Sequence, residues 1–105
     1  MHEVVVVVAQ VEQVGERVER AISQLRKEFD KKFRKRKVEV VASHIPGVIL
    51  VRVPVIFFNE DICHEAIDVV KGAGCEVLDW HVIGCSDGWM SFNITACLEE
   101  VLRRE

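Results

Sequence analysis

The sequence contains no tyrosine, only two prolines and no apolar run long enough to cross a membrane. Its uncharged apolar runs, such as VVVVVAQV and GVILV, fall far short of the ~20 residues that a transmembrane helix needs. The N-terminus also lacks the basic region and the small-residue cleavage site that mark a secretory signal. We therefore expect a cytoplasmic protein that has no contact with a membrane.

The cysteines lack the short C-x2-C spacing that holds zinc or an iron–sulfur cluster. Cys63, Cys75, Cys85 and Cys97 lie ten to twelve residues apart. Buried thiols are the first interpretation, because cysteine is among the residues most often buried. One or two disulfides are a second interpretation. A metal site that draws on these cysteines, His64 or His81 is a third.

The sequence also lacks the arrangements typical of catalysis, which needs a nucleophile near a base or two carboxylates with separated pKa values. In a strand, His81 and Cys85 point to the same face but lie about 13 Å apart, too far for a direct hydrogen bond. Cys63 and His64 are neighbours on a predicted helix, and their side chains diverge. We therefore expect a protein that is not an enzyme, with no catalytic residue, no metal ligand and no cofactor.

Half of the 105 residues are apolar, which argues against disorder. The length of the chain predicts a single domain, 1–105. Frequent Val, Glu, Arg and Lys would suit a thermophilic source with surface ion-pair networks.

Periodicity along the chain predicts two helices and four strands. The apolar residues Val18, Ile22, Leu25, Phe29 and Phe33 recur at spacings of three and four, which is typical of an amphipathic helix over 16–35. A second helix begins near Asn59 to Asp61 and ends at Gly72 and Gly74. Runs rich in β-branched residues predict strands over 4–11, 38–43, 48–58 and 75–85.

The two prolines constrain where these strands turn and how they pair. The segment His44-Ile45-Pro46-Gly47 predicts the turn of a hairpin. Pro54 cannot donate a hydrogen bond to a neighbouring strand, so it predicts an edge position or a bulge.

The last part of the chain permits two interpretations. Met90, Phe92 and Ile94 alternate with polar residues as in a fifth strand. Alternatively, residues from Ile94 to Val101 have helical spacing and Asp87 or Ser91 would cap the helix. Residues 87–95 therefore stay open between strand and helix, and we favour a short strand or turn followed by a helix over 95–104.

The predicted order β-α-β-β-α-β with an extra C-terminal helix is that of a ferredoxin-like α+β sandwich with an antiparallel sheet of four or five strands. Both crossover helices would cover one face of the sheet. The other face would stay uncovered although strands 4–11 and 48–58 are apolar on both sides. We therefore expect a homodimer that forms through the sheet face or the sheet edge.

Charge is distributed unevenly along the chain. Residues 26–37, RKEFDKKFRKRK, contain eight basic and two acidic residues, whereas the whole chain carries a net charge of −3. A positive segment in an acidic protein is typical of contact with a polyanion or an acidic surface. The candidate phosphate-contacting residues are Lys31, Lys32, Arg34, Lys35, Arg36 and Lys37.

Three functions of different classes remain open. The first is a non-catalytic nucleic-acid-binding module, with RNA favoured over DNA, that uses the basic end of the first helix. The second is a homo-oligomeric scaffold or regulatory module, in which the basic segment pairs with acidic residues such as Glu16, Glu19 and Glu60 or with a partner subunit. The third, a thiol- or metal-dependent enzyme, has the least support.

Overall fold

The computed structural model describes residues 2–34, 36–55, 60–84 and 90–99, with side chains described from Val14 onward. Lys35, residues 56–59, residues 85–89 with Cys85, and residues 100–105 lie outside the described part. The elements, in chain order, are α1 His2–Lys32, β1 Glu39–Ala42, β2 Val48–Val55, α2 Glu60–Gly72, β3 Cys75–Gly84 and β4 Met90–Leu98.

The described strands form one sheet in the order β1-β2-β4-β3, and every neighbouring pair is antiparallel. Both helices pack on one face of this sheet, with α1 against β1 and β2 and α2 against β3 and β4. The α+β class with a four-stranded antiparallel sheet is therefore confirmed. In the part of the chain that is described, neither helix is long and apolar enough to span a membrane.

The core lies between the helices and the sheet. Leu25 and Phe29 from α1 and Ala66 and Val70 from α2 are completely or almost completely buried. The strands alternate, so that Ile49, Val51, Val53 and Val55 of β2 and Phe92, Ile94 and Ala96 of β4 face the helices. The helical stripe predicted from spacing is confirmed from Val18 to Phe33.

The predicted strand over 4–11 is wrong, because these residues belong to α1 and Gly15 does not interrupt the helix. The place beside β2 that an N-terminal strand would need is occupied by β4. Once the helix over the core-packed residues exists, each added residue gains a hydrogen bond without a new nucleation cost. The penalty for valine in a helix is only about 0.5 kcal/mol per residue, so the extension is tolerated.

The predicted C-terminal helix over 95–104 is also wrong at its start. Thr95 to Leu98 belong to β4, an interior strand that pairs with β2 on one side and β3 on the other. Alternation at Met90, Phe92 and Ile94 therefore indicated the correct structure. The observed order is α-β-β-α-β-β, which differs from the predicted ferredoxin-like order.

The predicted turns are confirmed. Gly47, with a φ of 84°, closes the β1–β2 hairpin, and Gly74, with a φ of 79°, lies between α2 and β3. The Gly74 N–H donates to the Lys71 carbonyl at 3.1 Å, as expected at a helix C-terminus.

Pro54 lies at a local edge of an interior strand. The Ser43 N–H donates to the Val48 carbonyl, so in the alternating antiparallel pattern the even-numbered residues of β2 direct their backbone groups toward β1. The pairing with β1 ends at Arg52. The backbone of Pro54 therefore points beyond the end of β1, where no described strand requires an N–H donor.

Candidate nucleic-acid interface

The predicted basic residues lie at the C-terminal end of α1 and in the connection to β1. Lys31 and Lys32 lie in the last turn of α1, and Arg34, Arg36 and Lys37 follow the helix. Lys31, Lys32, Arg34 and Lys37 are exposed, whereas Arg36 is half-buried. We call these five residues the basic end; Lys35, also predicted, lies outside the described residues.

Two arginines attach this region to the sheet. The guanidinium of Arg36 donates a hydrogen bond of 2.8 Å to the Pro54 carbonyl. The guanidinium of Arg26, one turn and a half before the end of α1, donates a hydrogen bond of 2.9 Å to the Val40 carbonyl. Spacing along the chain did not distinguish these two anchoring arginines from the exposed cations. These hydrogen bonds tie the end of α1 to β1 and tie Arg36 to the end of β2.

Ion pairing within the molecule neutralises little of this charge. Among the described residues, the one ion pair of the basic end joins Lys31 Nζ to Glu28 Oε1 at 3.8 Å, and both side chains are largely exposed. Exposed pairs of this kind contribute ~0.5 kcal/mol or less. Lys32, Arg34 and Lys37 have no carboxylate within ion-pair distance in the described part of the chain.

The acidic partners predicted for the basic segment are elsewhere. Glu16 and Glu19 lie 16 and 13 residues before Lys32 on the same helix, separations of about 24 and 20 Å at 1.5 Å per residue. Glu60 contacts His64 instead, with 3.6 Å between the Glu60 Oε1 and the His64 Nε2. The described structure therefore gives no support to intramolecular neutralisation by these three residues.

The aromatic residues between the cations are part of the core. Phe29 and Phe33 are 1% and 7% exposed, and their rings stack with centroids 5.8 Å apart. Neither ring is accessible to a nucleic-acid base. Base stacking on these two rings is therefore excluded, and the exposed side chains of the basic end are cations, which commonly contact phosphate.

The sheet face opposite the helices carries a different set of groups. Arg52 lies near its centre, 3.9 Å from the Glu39 carboxylate, and its Nε donates to the Asn93 Oδ1 at 3.3 Å. Around them Val41, Leu50 and Ile83 are 48%, 40% and 46% exposed. No aromatic side chain of β1, β2 or β4 lies on this face in the described residues, so it lacks the stacking platform of RNA-recognition sheets.

The cysteines described by the structure are buried. Cys63, Cys75 and Cys97 are thiols with 7%, 1% and 5% exposure. Burial, with smaller contributions from Cys97 and Glu99, raises the pKa of Cys75 to about 11. Burial and the nearby Glu60 raise the pKa of Cys63. A neutral thiol is a poor nucleophile and a poor metal ligand.

The two histidines that were possible metal ligands lie apart from each other. His64 and His81 are exposed on separate elements, α2 and β3. Within the described ranges no three His, Cys, Asp or Glu side chains are grouped closely enough to hold a metal ion.

Comparison with known proteins leaves the site to be interpreted on its own geometry. No protein-family model, no curated protein and no solved structure matches this chain.

Proposed function

We propose that this protein is a small non-catalytic nucleic-acid-binding module, with RNA favoured over DNA, and that the basic end contacts the phosphate backbone. The observation that carries the proposal is the absence of intramolecular partners, among the described residues, for the exposed cations Lys32, Arg34 and Lys37. Cations held close together repel one another, and a polyanion relieves that repulsion by releasing its own condensed counterions.

The anchoring hydrogen bonds of Arg26 and Arg36 add to this argument. A loop held in one conformation loses less entropy when it binds than a mobile loop does. Arg36 also remains half-exposed, so its charge contributes to the field around the basic end. We expect binding that depends on phosphate spacing and shows little sequence preference, because the nearby aromatic rings are buried.

The test is a fluorescence-anisotropy titration of mixed-sequence RNA and DNA oligonucleotides at about 50 and 200 mM salt. Four to six phosphate contacts should lower the affinity roughly 50- to 2,000-fold between these salt concentrations. The double variant Lys32→Glu/Arg34→Glu should reduce the slope of log Kd against log salt by about 1 to 2.

The matched control is Arg20→Glu/Arg52→Glu, which makes the same change in net charge at two exposed positions away from the basic end. Equal loss of affinity in both double variants would indicate a general field effect and reject the basic end as the site. No binding by the wild-type protein at the lower salt concentration would reject the proposal altogether.

A second candidate function is a homo-oligomeric scaffold or regulatory module. It is favoured by the exposure of Val41, Leu50 and Ile83 on the sheet face that neither described helix covers. The protein would then form a dimer through the sheet face or the sheet edge. Sedimentation equilibrium over a micromolar concentration series tests this function, and a monomer at every concentration would reject it.

We also infer that the fold is related to the ferredoxin-like sandwich by a change in chain order. β2 and β3 run parallel to each other, α2 connects them, and β4 lies between them, which is a split β-α-β unit. Placing β4 before α1 would produce the order β-α-β-β-α-β. A circular permutant that begins with β4 tests this relation, since it should fold to the same sheet.

We also propose a cytoplasmic location and a thermophilic source. The buried thiols at Cys63, Cys75 and Cys97 suit a reducing cytoplasm. The high content of charged residues, 30% of the chain, suits a thermophile.

A further inference from the structure

The two edge strands of the sheet, β1 and β3, differ in whether a side chain covers their outward-facing backbone groups. In the β1–β2 ladder the odd-numbered residues of β1 bond to β2, so the backbone of Val40 points to the outer edge. The guanidinium of Arg26 donates a hydrogen bond of 2.9 Å to the carbonyl of Val40. The β1 edge is therefore partly blocked by a charged side chain, a common protection against pairing with another chain.

The opposite edge is β3, which is ten residues long. No strand in the described part of the chain pairs with its outer side. Leu78 and Trp80 on this strand are 50% and 51% exposed. A long edge with large apolar side chains is a template for another strand.

The hydrogen bonds of β4 show which groups of β3 face outward. The Leu98 N–H donates to Gly47 on the β2 side, whereas the Glu99 N–H donates to Gly74 on the β3 side. By alternation, Asn93 and Thr95 direct their backbone groups toward β3. Their partners on β3 are His81 and Asp79, so these two bond to β4. Trp80 lies between Asp79 and His81, and Val82 follows His81. The backbone groups of Trp80 and Val82 therefore point to the outer edge.

The side chains beside Trp80 are a carboxylate and an imidazole, which can form a hydrogen bond with each other. Asp79 and His81 are opposite Thr95 and Asn93, so both lie on the sheet face away from the helices, and both are exposed. They lie two residues apart, with Trp80 between them on the helix-side face. Trp80 contacts Phe92 there, with ring centroids 5.5 Å apart, and leaves half of its surface open.

We propose that a second copy of this chain pairs with the outer edge of β3 in an antiparallel register centred on Trp80. In this register Asp79 of each copy lies directly opposite His81 of the other copy, on the open sheet face. Trp80 lies opposite Trp80 of the second copy, where aromatic cross-strand pairs stabilise a sheet. The result is one continuous sheet of eight strands with the helices of both copies on the same face.

Symmetry and charge together select this register. A twofold axis perpendicular to the sheet keeps each side chain on its own face, so one residue of β3 must lie opposite itself. A register centred on His81 would place Asp79 opposite Ile83, and a register centred on Val82 would place His81 opposite Ile83 and Trp80 opposite Gly84. Of the three, the register on Trp80 is the one that places the carboxylate of Asp79 opposite the imidazole of His81.

The bulge in β3 limits the length of the pairing. The register with β4 shifts between Val77 and Asp79, so Leu78 is an extra residue in the strand. In the proposed dimer Leu78 lies opposite Val82 of the second copy and ends the regular ladder. Two apolar pairs of this kind would flank the central tryptophans.

This inference rests on the second candidate function and identifies the surface that such an oligomer would use. The test is sedimentation equilibrium of the wild-type protein and of two single variants, Asp79→Lys and His81→Asp. The first places a lysine opposite His81 and the second places an aspartate opposite Asp79, twice in each dimer. The dissociation constant of each variant should therefore rise about tenfold.

An equimolar mixture of the two variants should recover a dissociation constant near the wild-type value. In the mixed dimer the lysine introduced by Asp79→Lys lies opposite the aspartate introduced by His81→Asp, and the unchanged histidine and aspartate of the two chains lie opposite each other. A lysine–aspartate pair then stands at one position and the wild-type histidine–aspartate pair at the other. A mixture that dissociates as readily as the single variants would overturn the register.

The control is Glu39→Lys, which makes the same change of charge as Asp79→Lys on the opposite edge of the sheet. It should leave the dissociation constant unchanged, and circular dichroism should show equal folding of all variants. A wild-type protein that stays monomeric overturns both the oligomer and the register. A dimer that is insensitive to Asp79 and His81 but lost in Leu50→Glu overturns the register alone and assigns the dimer to the open face.

Discussion

The guanidinium of Arg36 donates a hydrogen bond of 2.8 Å to the carbonyl of Pro54, 18 residues away in the chain. This carbonyl is the first on β2 to point toward the β1 side beyond the end of the pairing with β1. The arginine therefore takes the place of a strand donor, and one residue of the basic end is structural as well as charged.

Replacing Arg36 by methionine should lower the free energy of unfolding by about 1 to 2 kcal/mol, because the partly buried Pro54 carbonyl loses a charged donor. Urea denaturation measures the change. Arg34→Met, at an exposed neighbour, should stay within about 0.5 kcal/mol of wild type. Equal stability of the two variants would show that the hydrogen bond of Arg36 contributes nothing.

Pro54→Thr should be tolerated, with a change in the free energy of unfolding within about 0.5 kcal/mol, because its backbone nitrogen faces the region beyond β1. Arg52→Pro should lower that free energy by about 1 to 3 kcal/mol, since the N–H of Arg52 points toward β1 and the buried ladder would lose a bond. The two variants can be compared by urea denaturation. If both behave alike, the assignment of the strand directions around Pro54 is incorrect.

Phe29→Leu separates a role in the core from a role in base stacking. It should lower the free energy of unfolding by about 1 to 2 kcal/mol, through lost volume and the lost stacking on Phe33. The affinity for RNA, measured by anisotropy below the unfolding temperature, should stay at the wild-type value. Reduced affinity with unchanged stability would mean that the ring contacts a base.

The buried thiol of Cys75 should make stability fall at high pH. Its pKa is raised to about 11 in the folded protein, whereas in an unfolded chain it titrates near 9. Below pH 9 the thiol is protonated in both states and the full stability is present. Between about pH 9 and 11 only the unfolded state releases the proton, so the free energy of unfolding decreases as pH rises.

Urea denaturation of wild type and Cys75→Ala at about pH 8, 9 and 10 checks this expectation. The variant should be less stable at the lowest pH because of the cavity, but its stability should depend less on pH. Some dependence should remain, because the pKa of Cys63 is also raised. Identical slopes in the two proteins would contradict the assignment to Cys75.

Local sequence patterns were sufficient for most elements of this fold. The stripe from Val18 to Phe33, the hairpin at Gly47 and the end of α2 near Gly74 depend on side-chain periodicity and on backbone angles. These are properties of neighbouring residues, so they can be inferred before any tertiary contact is known. The cations of the basic end were predicted from the run of basic residues over 26–37, which is also a local property of the sequence.

The errors occurred where two local patterns competed for one place in the sheet. Residues 4–11 and Met90–Leu98 both have sequences suited to a strand, and the gap between β2 and β3 accepts one of them. The alternation in β4 places Phe92, Ile94 and Ala96 against the helices and polar groups on the open face. A continuous valine run offers no such division, and a strand with apolar residues on both faces would expose half of them to water.

The sequence by itself determined the class of the fold, the amphipathic helix and the position of the positive charge, because these follow from the order of side chains along a short segment. Only the tertiary structure decided which segment fills the centre of the sheet, which arginines become anchors and which sheet edge stays open. Those outcomes depend on hydrogen-bond partners far apart in the chain, such as Arg36 with Pro54 and Arg26 with Val40. A backbone carbonyl at a strand end accepts a hydrogen bond from any donor that lies close enough. Which donors lie close enough depends on the folded chain.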